Sequence, residues 1–428
     1  MASTPLSTVA KAAAKPAATL PVTTVPSFQP RRAFEVSNSI TRSYFLGHHH
    51  AALNRMRTAL SNVGLIIECR DFRVPITSWN PLLEQSLSTS TSRSSGAATA
   101  RSRIIVYTHR DLTPDSVSPS TVSPLAFPLL HKQSSSSIIR HLKSFHAGSP
   151  TNPAAVVLFQ GRGRDRDRDR DRGRGGRDHS ESLAPLLDAI KRVARDLDSL
   201  TGLRAMVVGM PNAGKSTLLN GLRNRGMKLP KAAKTGSEPG VTRKLGTPVR
   251  IVPGEDQTDG EAGMGEGVFL VDTPGVFIPY VSDPESMLKL ALVGSVKDGV
   301  IPSVTVADYL LYHLNLAGPE ATYMARFGME NPTNDVAEFL RAAARRTGKL
   351  KKSGDLSLEG AADWVIQEWR TGGLGKMFLD EVTNESLVAA MEAAREPSLS
   401  MNQARKKEKA ARKERNEAKR SGNADAGV

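Results

Sequence analysis

Absences narrow the field first. The 428 residues include a single cysteine, Cys69, so the chain cannot build a disulfide framework, and the interior of a reducing compartment suits it. Cys69 lies in an apolar run and reads as a small core residue. No apolar stretch approaches the length of a membrane span, so any contact with a bilayer is peripheral. Acidic residues are scarce overall, 43 Asp and Glu against 58 Lys and Arg, and the formal charge of +15 favours an acidic partner such as RNA. The first 34 residues contain no Asp or Glu and carry Lys11, Lys15, Arg31 and Arg32 among many Ala, Ser and Thr. That is the composition of a mitochondrial transit peptide. Prolines at 5, 16, 21, 26 and 30 argue against one continuous amphipathic helix and leave a plain N-terminal tail as the alternative.

Chemistry is concentrated further along. Gly209-Met-Pro-Asn-Ala-Gly-Lys-Ser216 follows the apolar run Ala205–Val208 and precedes a helix-like segment. It fits the phosphate-binding loop G-x-x-x-x-G-K-[ST]. Backbone N–H groups from Asn212 through Thr217, with Ala213 and Gly214 between, can wrap a di- or triphosphate; Lys215 reaches the outer phosphates and Ser216 offers a hydroxyl to Mg²⁺. Downstream, the strand run Val268–Val271 ends in Asp272-Thr-Pro-Gly275. There Asp272 suits the Mg²⁺ shell and the Gly275 N–H suits a γ-phosphate. Between them, Pro239-Gly-Val-Thr-Arg243 places Thr242 on a loop that can close over the same metal. The order and spacing predict a switch-type NTPase.

Base recognition is less direct. Guanine readers of this class use Asn-Lys-x-Asp after the Asp-x-x-Gly motif, and nothing beyond Gly275 fits. Upstream, the strand run Ile104–Tyr107 ends in Thr108-His-Arg-Asp-Leu112. Either this is a polar strand end, in which case an ATP-using protein stays open, or it is a diverged reader. In the second case Asp111 accepts from guanine N1–H and the 2-amino group, with Thr108 and His109 beside it. The motif order is then rotated, which a parallel sheet tolerates because cutting one loop and joining the old termini leaves every site residue in place.

With that rotation the chain resembles the circularly permuted GTPases of ribosome assembly, in particular their mitochondrial ribosome-associated GTPase 1 branch, over roughly residues 40 to 380. Tyr44-Phe-Leu-Gly-His-His49 resembles an N-terminal F-P-G-H-M segment, departing at Leu46 and His49. Glu68-Cys-Arg-Asp-Phe-Arg-Val-Pro75 and Ser78-Trp-Asn-Pro81 resemble D-A-R-x-P…S-x-N-P, and Arg370-Thr-Gly-Gly-Leu-Gly375 a C-terminal element. Thr108 and His109 stand where the family has Asn and Lys. The resemblance implies an α/β fold: a circularly permuted Ras-like P-loop GTPase domain with a smaller C-terminal α-helical domain. It also implies GTP and GDP as ligands, and the mitochondrial large ribosomal subunit with its rRNA as partner.

The expected layout is a transit segment over 1–34, the nucleotide domain over 35–300, a helical domain over 301–395 and a basic tail over 396–428. Low-complexity insertions fall at about 85–102, 113–137 and 161–180; the last contains Arg162–Arg172, whose alternating Asp residues cancel most of its field, so it reads as a spacer. Helices are expected near 48–61, over Leu183–Leu200, and after Pro279 over 286–293, 305–315, 336–346 and 361–370. Arg405–Arg420 holds nine basic and three acidic residues, which suits either a solvated tail or an arm on rRNA phosphates.

Catalysis has no obvious water-orienting group, because Val276 occupies the place where Ras-like enzymes put Gln. The resemblance points to His48 as a substitute; as one of three consecutive histidines it can equally be a plain exposed side chain. It also points to Asn212 as a K⁺ ligand that brings positive charge to the phosphates, against which stands a loop-stabilising Asx hydrogen bond. Two classes of function follow. One is a GTPase coupled to large-subunit assembly; the other is a nucleotide-gated ribosome or RNA binder with negligible turnover.

Overall fold

A computed structural model describes residues 28–37, 40, 54–89, 101–115, 133–148, 155–158, 179–236, 240–242, 245–257, 262–277, 281, 283–317 and 322–395, with the single positions 403, 406, 409, 410 and 413. His48 and the rest of the 44–49 segment, residues 1–27 of the expected transit segment, residues 161–178 of the expected insertion and most of the basic tail lie outside the described residues.

Six strands form one sheet: β1 (Leu65–Asp71), β2 (Ser102–Thr108), β3 (Ala155–Leu158), β4 (Leu203–Gly209), β5 (Val249–Val252) and β6 (Val268–Asp272). Their spatial order is β3-β2-β1-β4-β6-β5, parallel throughout except that β5 runs antiparallel to β6. β1 is buried along its whole length and β4 everywhere but at Arg204, because helices cover both faces, as a parallel sheet requires. Helices α1 (Pro81–Thr89), α2 (Ser135–Ala147), α3 (His179–Leu197) and α4 (Lys215–Met227) belong to this layer. The apolar stripes of α3 and α4 pack against Leu65, Ile67, Ala205, Val207, Val268 and Leu270. The strand order reverses between β1 and β4, and the crevice beyond their carboxyl ends is where open α/β sheets bind ligands.

Six more helices follow: α5 (Pro284–Leu292), α6 (Ser303–Leu316), α7 (Thr322–Phe327), α8 (Val336–Thr347), α9 (Leu358–Arg370) and α10 (Asn384–Arg395). Asp283 caps α5, with Pro284 in its first turn; Asp335 caps α8 and Ser357 caps α9. Helices α5 to α9 enclose one apolar core that includes Tyr309, Tyr323, Phe339 and Trp369.

Two boundaries differ from the sequence expectation. The helical core already takes in Phe277, Val281 and Met287, so helical packing starts well before 301, because α5 turns its apolar face to α6. At the other end, α10 leaves that core: Leu387, with Phe378 and Val382, packs on Phe72, Tyr107, Ile138 and Leu142 of the sheet layer. The insertion expected from about 85 also begins later, since α1 continues to Thr89, with Asn80 Oδ1 accepting from Leu82 N–H at 3.0 Å at its start. Cys69 is a buried free cysteine, and burial pushes its thiol up to about 12. Among the described residues no helix is long and apolar enough to cross a membrane.

Candidate nucleotide-binding site

The loop after β4 begins where the strand backbone comes close to β1. Gly209 has φ 146°, and a Cβ there would stand 2.4 Å from the Cys69 carbonyl, so the position admits only glycine. Asn212 and Gly214 both adopt left-handed conformations, φ 57° and 77°, and α4 starts at Lys215. Lys215 is buried and folds back, donating to the carbonyls of Met210 at 2.6 Å and Gly209 at 3.3 Å. Burial lowers the pKa of this ammonium, against the pull of Asp272, so the site holds a desolvated cation.

Facing it, Ser216 Oγ donates to Asp272 Oδ2 at 2.6 Å, and Thr242 Oγ1 lies 3.4 Å from the same oxygen and 3.3 Å from Ser216 Oγ. Asp272 Oδ1 is buried with no hydrogen-bond partner. Two hydroxyls and an orphaned carboxylate oxygen on one spot suit a hard divalent cation. Gly275 packs against Pro211, where an added Cβ would meet the Pro211 backbone at 2.6 Å, so the second switch rests on the phosphate loop.

On the other side stands the strand end of β2. Thr108 is buried, donates to the Arg70 carbonyl at 3.1 Å, and lies in van der Waals reach of any side-chain atom added at Gly214. His109 is left-handed, φ 59°, with Nδ1 3.2 Å from Asp71 Oδ2 and 3.1 Å from Thr108 Oγ1. Asp111 sits on the one-turn helix Arg110–Leu112, and its Oδ1 is buried without a partner. A carboxylate oxygen withheld from water and from the protein suits a ligand that brings its own donors.

A cleft of about 410 Å³ joins these parts. Thr108, His109, Asp111, Asn212, Gly214, Lys215, Ser216, Thr217, Thr242 and Gly275 line it together, from four separate stretches of sequence. Ala213 instead turns into the core beneath the sheet, and Asp272 reaches the cleft through Ser216.

Sequence reasoning missed several lining groups. Lys234, Thr235 and Gly236 contribute from the first switch; Arg73, Val293, Gln367, Arg370 and Thr371 contribute from β1's end and the helical core. Around the C-terminus of α5 four successive carbonyls are taken by side chains. Ala291 and Leu292 accept from Arg370 at 2.7 and 2.9 Å, Val293 from Arg73 at 3.3 Å and Gly294 from Asn212 Nδ2 at 2.7 Å. Ser295 Oγ donates to the Pro211 carbonyl at 3.1 Å, and Met210 is buried among the helices. The phosphate loop is therefore part of the helical core's packing. Asn80, quoted above only within a signature, donates to the Val276 carbonyl at 2.7 Å. That bond turns the Val276 side chain into the apolar cluster of Met56, Leu60 and Leu83, away from the cleft.

Comparison with known proteins supplies the family. A family model described as "50S ribosome-binding GTPase" matches residues 204–340, starting in β4, so that β1 to β3 fall outside it. Mitochondrial GTPase 1 of Schizosaccharomyces japonicus is 33% identical over 352 residues, covering 80% of this chain and 91% of that protein. The chain belongs to the mitochondrial GTPase 1 family. A member from Xenopus tropicalis, named mitochondrial ribosome-associated GTPase 1, is 28% identical and covers 82% of this chain and 98% of its own. Among solved structures, GNP-bound YlqF from T. maritima is similar at 20% identity with a TM-score of 0.40, covering 77% of this chain and 98% of that one. The chain is a GTPase, and its order is circularly permuted: β1 to β3 precede the phosphate loop, which precedes both switches.

Proposed function

We propose that this GTPase acts in the mitochondrion, in the matrix, on assembly of the large ribosomal subunit, and that the subunit raises its turnover. The observation that carries the reading is Val276: its side chain is buried and its carbonyl is held by Asn80, so this position, where Ras-like enzymes put Gln, presents no group to orient water. Hydrolysis then needs a part from elsewhere, either His48 or a group from the partner. The relatives' names support the ribosome as that partner.

Asp111 accepts guanine N1–H and the 2-amino group, with His109 against the base. The backbone of 212–217 wraps the phosphates, and Lys215 turns from its loop carbonyls to the β- and γ-oxygens. Ser216, Thr242 and Asp272 hold Mg²⁺, which neutralises phosphate charge when bound. Asn212 is the K⁺ ligand in this reading. The tail from Arg405 lies on rRNA, and any inner-membrane contact is peripheral.

Steady-state GTP turnover with and without mitochondrial large subunits, in K⁺ and in Na⁺, tests the proposal. Turnover should rise with subunits and be higher in K⁺; a rate indifferent to subunits overturns the coupling. Base reading has its own test. Asp111→Asn swaps an acceptor for a donor, which suits xanthine with its 2-carbonyl. GTP binding should weaken by about 1–3 kcal/mol, the typical penalty for a buried unpaired polar group, while XTP binding improves. An unchanged GTP-to-XTP affinity ratio removes Asp111 from the base site.

A further inference from the structure

Residues 199–237 contain Arg204, Lys215, Arg223, Arg225, Lys228, Lys231 and Lys234 and not one Asp or Glu. Lys215 is buried at the phosphates; Arg225, Lys228, Lys231 and Lys234 are exposed. They stand on the end of α4 and the segment that leads into the first switch. The side chains of Arg225, Lys228 and Lys231 have no hydrogen-bond or ion-pair partner among the described residues.

This segment is held in place. Asn220, buried on α4, accepts from the N–H groups of Ala232 and Ala233, both at 2.9 Å, and donates to the Ala233 carbonyl at 2.8 Å. Arg223 Nε donates to the Pro230 carbonyl at 3.0 Å, and Lys228 closes α4 in a left-handed conformation, φ 55°. A row of unpaired cations on a braced backbone binds phosphates at little ordering cost. Directly after the Asn220 clamp the same chain enters the nucleotide cleft through Lys234, Thr235 and Gly236 and goes on to Thr242.

We propose that Arg225, Lys228 and Lys231 form an RNA-phosphate-binding surface whose occupancy is transmitted to the first switch. It rests on the ribosome reading above and adds the surface through which RNA reaches the nucleotide. RNA at 225–231 fixes the segment from outside, and Asn220 passes that restraint to Lys234 and the loop carrying Thr242. An anionic bilayer would meet the same cations, but Leu229 is the exposed large apolar side chain that the segment offers it. Closely spaced point charges without an apolar face fit a nucleic-acid backbone better.

The test uses the full chain carrying Arg225→Gln, Lys228→Asn and Lys231→Gln, where Asn keeps the left-handed turn. A companion, Arg225→Lys, Lys228→Arg and Lys231→Arg, retains the charge. Binding is read on mitochondrial large subunits, on a duplex RNA oligomer, and on phosphatidylcholine vesicles containing cardiolipin. In the neutralised variant, affinity for subunits and for the oligomer should fall roughly tenfold or more at moderate salt, and the slope of log affinity against log salt by about two to three. Subunit-stimulated turnover should drop, while GTP affinity, turnover without RNA and the thermal midpoint stay unchanged. The companion should behave as the parent. RNA affinity that survives neutralisation overturns the proposal, and so does a loss confined to the vesicles. A parent chain that binds the oligomer through these residues but ignores large subunits sinks the ribosome reading alone; binding to neither sinks both.

Discussion

Lys215→Ala should abolish tight GTP binding. The ammonium is buried, its charge destabilised by burial, and its two partners are carbonyls of its own loop. A phosphate-bound nucleotide replaces those carbonyls with anionic oxygens, and hydrogen bonds to charged groups are worth about 1.5–3 kcal/mol each. Loss of two such bonds predicts a drop in affinity of roughly two orders of magnitude or more. The alanine removes two buried loop hydrogen bonds but also a desolvated charge, and these effects oppose each other, so the thermal midpoint of the ligand-free protein should move little. A fluorescent-nucleotide titration decides it: unchanged affinity would remove the loop from the phosphate site.

Removing this lysine should also separate two roles of the loop. Pro211 and Asn212 are tied to Ser295 and Gly294, and Met210 is buried in the helical core. Those contacts do not pass through Lys215. The mechanical link between the phosphate loop and α5 therefore remains in the variant while the ligand is lost.

Much of the cleft could be read from sequence, and the reason is local. Wrapping a phosphate with backbone N–H groups demands glycine or small residues at fixed spacing, so 209–216 announces itself in eight positions. Asp272 and Gly275 are legible for the same reason, as a strand tip followed by a turn. Thr108 to Asp111 was ambiguous because Thr and His replace the side chains that make such a motif recognisable, and only the packing of Thr108 on Gly214 and the partnerless Asp111 oxygen bring it to the cleft. The ring of donors around α5 was not legible at all. Arg73, Asn212 and Arg370 are far apart in sequence, and their shared target is a set of backbone carbonyls, which leave no residue signature. The helix expected over 286–293 is legible, but its place on the helical side of the 301 boundary is not, because α5 is apolar enough to belong to either layer and only its neighbours decide.

The largest stability effect is expected at Glu68, which is not among the residues that line the nucleotide cleft. Glu68 on β1 accepts from Arg70 Nε at 2.7 Å and from Arg103 Nε at 3.0 Å, and also pairs with Arg103 Nη2. Glu84 accepts from both terminal nitrogens of Arg103 at 2.8 Å, and the Arg70 guanidinium lies 4.4 Å from the Trp79 ring centre. Two carboxylates and two guanidiniums thus balance inside the protein, where an unbalanced charge is poorly tolerated. Burial alone would push the Glu68 carboxyl up, but Arg103 and Arg70 overcome it and hold it at about 2. Glu68→Gln leaves two buried arginines sharing one carboxylate and should cost about 3–5 kcal/mol, the usual penalty for breaking a buried pair. At about 2.1 cal/mol/K of unfolding entropy per residue, a chain of 428 residues shifts by about 1 °C per kcal/mol, so the thermal midpoint should fall by roughly 3–6 °C. The pH dependence carries the sign. Because the folded-state pKa lies below the ordinary 4.5, this stabilisation is present above about pH 4.5 and is lost as pH falls toward 2. Glu68→Gln should therefore narrow the stability difference between neutral pH and pH 3, since the variant has no proton to take up at that position. Denaturant unfolding at several pH values measures both effects. A variant as stable as the parent at neutral pH, with the same acid limb, would show that the four charges do not act as one buried network.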